Sequence, residues 1–120
     1  MNRRAALGAR AENRALAWLK SRGLSFVASN FYCRYGELDL IMDDSGTLVV
    51  VEVRSRSNNR FLSPELSVDH RKRSNIIHST EYFLQQHPQY ADNAVRFDVI
   101  ALTGDTAGDI RWIRDAFTVD

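Results

Sequence analysis

The chain predicts an α/β fold, a mixed central sheet flanked by helices, and three observations predict it. Apolar residues recur at helical spacing from about Arg3 to Arg22 and again from Asp69 to about Gln86. Between them lies Leu48–Arg54, Leu-Val-Val-Val-Glu-Val-Arg, a β-branched run with the character of a buried strand. Further strand-like runs stand on both sides of the second helix, so the order is helix, strand, hairpin, helix, strand, strand, which a sheet with helices packed on its faces satisfies. With 120 residues and 44% hydrophobic content, the chain suffices for one compact domain spanning 1–120 and leaves no room for a second of useful size.

The first helix is carried by Leu7, Ala11, Ala15, Trp18 and Leu19, by abundant alanine, and by Gly23 as its stop. Glu12 borders its apolar face; taken alone it reads as a solvated carboxylate beside an arginine. Leu24–Phe31 is expected to form a strand, with Tyr32–Tyr35 as a polar aromatic link. Gly36 introduces a second strand, Glu37–Met42, and Leu48–Ser55 returns along it. Ser55–Ser67, rich in Ser, Asn and Arg, has no sustained period and reads as either a substrate-contacting flap or a disordered loop.

Asp69 is placed to cap the second helix, and Pro88 ends it. The apolar face of that helix is Ile76, Thr80, Phe83 and Leu84, with Ile77 beside it. Lys72 lies one turn before Ile76 and is expected to point toward the sheet, flanked by Arg71 and Arg73. His70, His78 and His87 lack metal-binding spacing and read as surface residues. Ala94–Thr103 is a further strand, in which Asp98 pairs structurally with Arg96 or another arginine. A turn over Thr103–Gly108 leads to a short last strand, Asp109–Ile113.

Composition excludes several classes. One cysteine, Cys33, rules out an internal disulfide framework and reads as a small, partly buried hydrophobe in a reducing compartment. The basic segment Met1–Arg10 has no apolar core of signal-peptide type, and no run approaches a membrane span, so a cytoplasmic protein without membrane attachment is expected. There is no internal repeat, phosphate-binding glycine loop, zinc spacing or nucleophile elbow. The net charge is only +1, but Arg54, Arg56, Arg60, Arg71, Lys72 and Arg73 face only Glu65 and Asp69 over the same segment. Such an arginine-rich stretch suits phosphate contacts.

The chemistry centres on Gly36–Arg56. Strand alternation places Leu48, Val50, Glu52 and Arg54 on one face and Val49, Val51 and Val53 on the other. If Asp44–Thr47 is a four-residue loop, Asp43 pairs with Leu48 and Asp39 falls opposite Glu52, with Cβ atoms roughly 5 Å apart. Two carboxylates that close favour a shared proton or a divalent cation between them.

Asp39 followed by Glu52-Val53-Arg54 on the next strand resembles the core of the PD-(D/E)XK nucleases. Gly8–Glu12, Gly36-Glu37-Leu38-Asp39-Leu40-Ile41, Val51–Arg56, Arg71-Lys72, Arg96-Phe97-Asp98-Val99 and Ala116-Phe117 extend the likeness over roughly residues 5–118. That set resembles the YraN family, small bacterial proteins viewed as predicted endonucleases related to archaeal Holliday-junction resolvases. The resemblance implies a restriction-endonuclease-like core and hydrolysis of phosphodiester bonds in structured or branched DNA. It implies Mg²⁺ or Mn²⁺ held by Glu12, Asp39 and Glu52, and a catalytic set of Asp39, Glu52, Arg54 and Lys72. Arg54 would contact the scissile phosphate, with Arg56, Arg60, Arg71 and Arg73 on the nucleic-acid backbone. A homodimer is also compatible, since related resolvases act on two strands.

One departure stands out: where the family motif usually ends in lysine, this chain has Arg54. Arginine keeps its charge for a phosphate but does not release a proton near neutrality. Two other readings therefore stand beside the nuclease. One is a non-catalytic nucleic-acid-binding module; the other is a protein-interaction domain in which Glu52 and Arg54 are only a structural pair.

Overall fold

The computed structural model describes residues 3–55, 68–104 and 106–119. Helix α1 spans Arg3–Ser21, strands β1, β2 and β3 span Ser25–Cys33, Gly36–Asp44 and Thr47–Ser55, and helix α2 spans His70–Gln86. Strands β4, Val95–Leu102, and β5, Ile110–Phe117, complete a five-stranded mixed sheet of order β1-β2-β3-β4-β5. All neighbours are antiparallel except β3 and β4, which run parallel because α2 lies between them in the chain.

The two helices cover opposite faces. Leu48 and Val50 of β3 pack with Ile76 and Phe83 of α2, whereas Val49 and Val51 pack with Ala15 and Leu19 of α1. The alternation read from the sequence is thus the alternation of the core. Trp18 of α1 meets Trp112 of β5 edge-on at 5.7 Å and extends the α1 layer. The end of α1 follows from Gly23: at φ 97° it lets its own N–H reach Lys20 O and that of Leu24 reach Leu19 O. Asp69 caps α2 as expected, accepting from Lys72 N at 2.8 Å.

Three boundaries and one surface assignment differ from the sequence reading. The β2–β3 turn has two residues, not four, because Asp44 pairs with Thr47; Ser45 and Gly46 both take positive φ, at 52° and 97°. The register is unaffected, since Asp43 still pairs with Leu48. Tyr32 and Cys33 are not a link but remain in β1, paired with Glu37 and Gly36. Strand β5 runs on to Phe117, past a bulge in which one residue of β4, Asp98, faces Arg114–Ala116. His87 is also not a surface residue: its ring stacks on Phe83 at 4.0 Å and is half-buried.

Asp98 explains the bulge. It is fully buried, accepts from both Arg96 Nε and Nη2, from Trp112 Nε1, and from the backbone N–H of Asp115 at 2.9 Å. Asp115 has φ 53°, and the Asp98 carboxylate replaces the ladder bond that the bulge breaks. Its structural pairing with Arg96 is thereby accounted for. Among the described residues no helix is long and apolar enough to cross a membrane.

Candidate metal centre

The sheet loses its regular pleat at one level, and the acidic residues collect there. Phe31 and Leu38, paired across β1 and β2, pack on the α2 side, yet Leu40, only two residues beyond Leu38, packs on the α1 side. Residues two apart in a regular strand share a face, so β2 turns sharply through Asp39. At the same level Asn30 in β1 takes φ 51°. The β2–β3 ladder ends at Leu40–Val51, one step short of Asp39 and Glu52. The Val53 N–H is instead taken by Asp39 Oδ2 at 2.9 Å. A side chain has replaced a strand partner where the two strands part.

This turn brings Asp39 to α1. Glu12, Glu37 and Asp39 each present a carboxylate oxygen within 4.8 Å of the other two, and all three are half-buried. Glu12 is therefore not a solvated carboxylate beside an arginine. Burial is the main cause of its pKa being raised to about 7, and the charges of Asp39 and Glu37 add to it, while a hydrogen bond from Asn30 acts the other way. Glu37 is raised by burial and then by Asp39, with Lys72 and Tyr32 opposing. Asp39 is raised by burial, against the Val53 N–H, Lys72 and Arg54.

Glu52 occupies the α2 side of the same level. It is 1% exposed, and burial followed by the Asp39 charge raises its pKa to about 7. Lys72 Nζ stands 3.5 Å and Arg54 Nη2 3.9 Å from its Oε1, while its Oε2 is buried without a hydrogen-bond partner. Lys72 thus does point toward the sheet from the first turn of α2. Among the described residues Glu52 is not within the tight carboxylate triad, but it shares Asp39 as its principal anionic neighbour. Asp39 is the residue common to both halves of the centre.

The arginines divide. Arg54 is half-buried with its Nε unpartnered. Arg71 is exposed at the start of α2. Arg73 is committed elsewhere: its Nε donates to Val68 O at 2.8 Å and its guanidinium lies over the Phe117 ring. Arg56 and Arg60 lie outside the described residues. Glu37 is the member that sequence reasoning missed; its spacing of two from Asp39 was the available signal.

The donor set is all oxygen, and four carboxylates outnumber the two cations set against them. An orphaned, buried Glu52 oxygen and a triad with raised proton affinity are what a hard divalent cation would relieve, so the residues present fit Mg²⁺ or Mn²⁺.

Fold and site together define an α/β domain with a carboxylate centre where its mixed sheet divides. The chain belongs to the family described as Uncharacterised protein family UPF0102, whose model matches residues 11–102. This is the YraN family that the motifs resemble. A UPF0102 protein of Ralstonia nicotianae is 48% identical over 120 residues, covering 97% of this chain and 89% of its own length. One from Alcanivorax borkumensis is 41% identical over 112 residues, with 92% and 90% covered. One from Pseudomonas fluorescens is 42% identical over 111 residues, with 92% and 91% covered.

Proposed function

We propose that the chain is a metal-dependent endonuclease of PD-(D/E)XK type, with a restriction-endonuclease-like core, acting on phosphodiester bonds in structured or branched DNA. The observation that carries this reading is the placement of Asp39 between the Glu12–Glu37 pair and the buried Glu52, with Lys72 and Arg54 on the Glu52 side. Glu12, Glu37, Asp39 and Glu52 are the residues that would hold Mg²⁺ or Mn²⁺. Such an ion, when bound, supplies Lewis acidity to a phosphodiester and lowers the pKa of water.

The chain's own residues do the rest. Glu52 holds Arg54 and Lys72 at one edge of the centre, where their charge offsets that of an entering phosphate. Arg54 contributes charge without proton transfer, and Lys72 brings a second positive charge to the same carboxylate. The lysine of the strand motif is thus replaced by a lysine from a helix that reaches the same carboxylate. Exposed Arg71, on the same turn of α2, is placed for sequence-independent backbone contact.

The test is cleavage of supercoiled plasmid and of a four-way junction with Mg²⁺ or Mn²⁺. Wild type is expected to cleave at least one of them, and Asp39→Ala and Glu52→Ala to abolish it. Undiminished cleavage by both variants removes the assignment. One observation favours a second reading, a binding module without turnover: the strand position after Glu52-Val53 is arginine. That reading expects salt-sensitive nucleic-acid binding by wild type, and no gain of cleavage in Arg54→Lys.

A further inference from the structure

Beside the carboxylate centre lies a groove of about 580 Å³ between the end of β1 and the outer face of α2. That is the size of a pocket for a ligand with one or two rings. Its lining holds three tyrosines, Tyr32, Tyr35 and Tyr82, together with Arg34, His78 and one carboxylate, Glu81. Tyr35 is the finished part: its ring sits 5.1 Å from that of His78, the Arg34 guanidinium lies 4.9 Å from it, and its hydroxyl accepts from Arg34 Nη2 at 2.7 Å. Tyr32 and Tyr82 are the open part, 70% and 38% exposed.

Two large rings open to water, one on the sheet and one on a helix, offer apolar faces that a planar ligand can cover. Tyr82 is held in place by Phe31 at 6.1 Å and by Gln86 Nε2, which donates to its hydroxyl at 2.8 Å. Cys33 Sγ, donating to Ser79 Oγ at 3.3 Å, ties β1 to α2 beneath the groove. Tyr82 is therefore positioned before any ligand arrives, whereas Tyr32, between Phe31 and Cys33, projects from the opposite side of the edge strand, toward Glu37.

Tyr32 joins the groove to the centre. It pairs in register with Glu37 across β1 and β2, and its hydroxyl interacts with that carboxylate. A strand whose phosphate lies at the carboxylates would thus have a neighbouring base at Tyr32. In a duplex the base faces are already stacked on one another; only an unpaired base has a free face for a tyrosine. The Arg34 guanidinium beside the Tyr35 ring adds cationic contact to the same strand.

The geometry points to a stacking site for unpaired nucleobases, in which Tyr32 and Tyr82 hold bases of a single-stranded segment next to the carboxylate centre. This deepens the nuclease reading and rests on its nucleic-acid ligand: the substrate is DNA with unpaired nucleotides at a branch, gap or end, not intact duplex.

Fluorescence anisotropy in EDTA tests it with three labelled DNAs of equal length: a thymine single strand, a blunt duplex, and a duplex with unpaired thymines at its centre. Wild type is expected to bind the first and third more tightly than the second. Tyr32→Ala and Tyr82→Ala should each weaken those two by about five- to 150-fold, the loss of one base–aromatic stack, and leave the blunt duplex unaffected. Tyr32→Phe keeps the ring and loses only the hydroxyl beside Glu37, so it should bind as wild type does. The inference is overturned if wild type binds none of the three or all three equally, or if the alanine variants bind like wild type. It is equally overturned if those variants change only the protein's self-association, since the groove is then an interface between copies. Cleavage assays separate the two readings. Tyrosine-dependent binding without metal-dependent cleavage leaves the groove and removes the nuclease. Cleavage that needs Asp39 but not the tyrosines does the reverse.

Discussion

Replacing Glu52 by glutamine should stabilise the metal-free protein at pH 8 and do little at pH 4. Glu52 is 1% exposed, and burial followed by the Asp39 charge moves its pKa from 4.5 to about 7 despite Lys72 and Arg54. A carboxyl with a raised folded pKa favours its neutral form. Its contribution is intact below the unfolded pKa near 4.5 and is lost as pH rises through about 7. Ionisation then costs the folded state on the order of 3 kcal/mol. Glutamine keeps the shape and removes the charge, so at pH 8 in EDTA it should recover much of that cost, roughly 10 °C in Tm for a domain of this size. Thermal melts of wild type and Glu52→Gln at both pH values make the comparison. A variant less stable than wild type at pH 8 would refute the reasoning, because the Lys72 and Arg54 pairs would then outweigh burial.

Other outcomes follow from the same geometry. Millimolar Mn²⁺ should raise the wild-type Tm at pH 8, less so at pH 5 where Glu12 and Glu52 hold protons, and not at all in Asp39→Asn; melts with and without metal measure this. Asp98→Asn should lose roughly 2–3 kcal/mol of stability in urea titrations, because the substitution leaves half-buried Arg96 only Asp44 as its anion and disturbs the Trp112 and Asp115 bonds. Ser45→Asn should be neutral or stabilising by up to about 1 kcal/mol, and Gly46→Ala destabilising by a similar amount, since both positions have positive φ. Denaturant midpoints distinguish the two.

Much of the fold was legible because its signals are local. The Leu48–Val53 alternation survives as the division between the two core faces, and Asp69 caps α2 where its side chain had to be. The register of β2 on β3 was legible even though the loop length was not. A two-residue turn and a four-residue loop share the Asp43–Leu48 pair, and only the outermost pair, Asp44–Thr47, tells them apart. The extension of β5 was hidden because it depends on a bulge held by Asp98 from a different strand. The site was half legible. Opposing Asp39 to Glu52 follows from counting, but a regular ladder would leave Glu12 on the far side of the sheet. The sharp turn of β2 at Asp39, matched by the left-handed backbone of Asn30, is what carries the carboxylate to α1. No residue type announces that turn. Glu37 carried a signal, its spacing of two from Asp39, but its approach to Glu12 depends on where Asp39 goes.

Crystals soaked in Mn²⁺ and measured at the manganese absorption edge would test the central claim most directly. An anomalous peak is expected within coordinating distance of Asp39 and at least one of Glu12, Glu37 and Glu52. A peak bound only by other residues, or none at millimolar Mn²⁺ and pH 8, would contradict it.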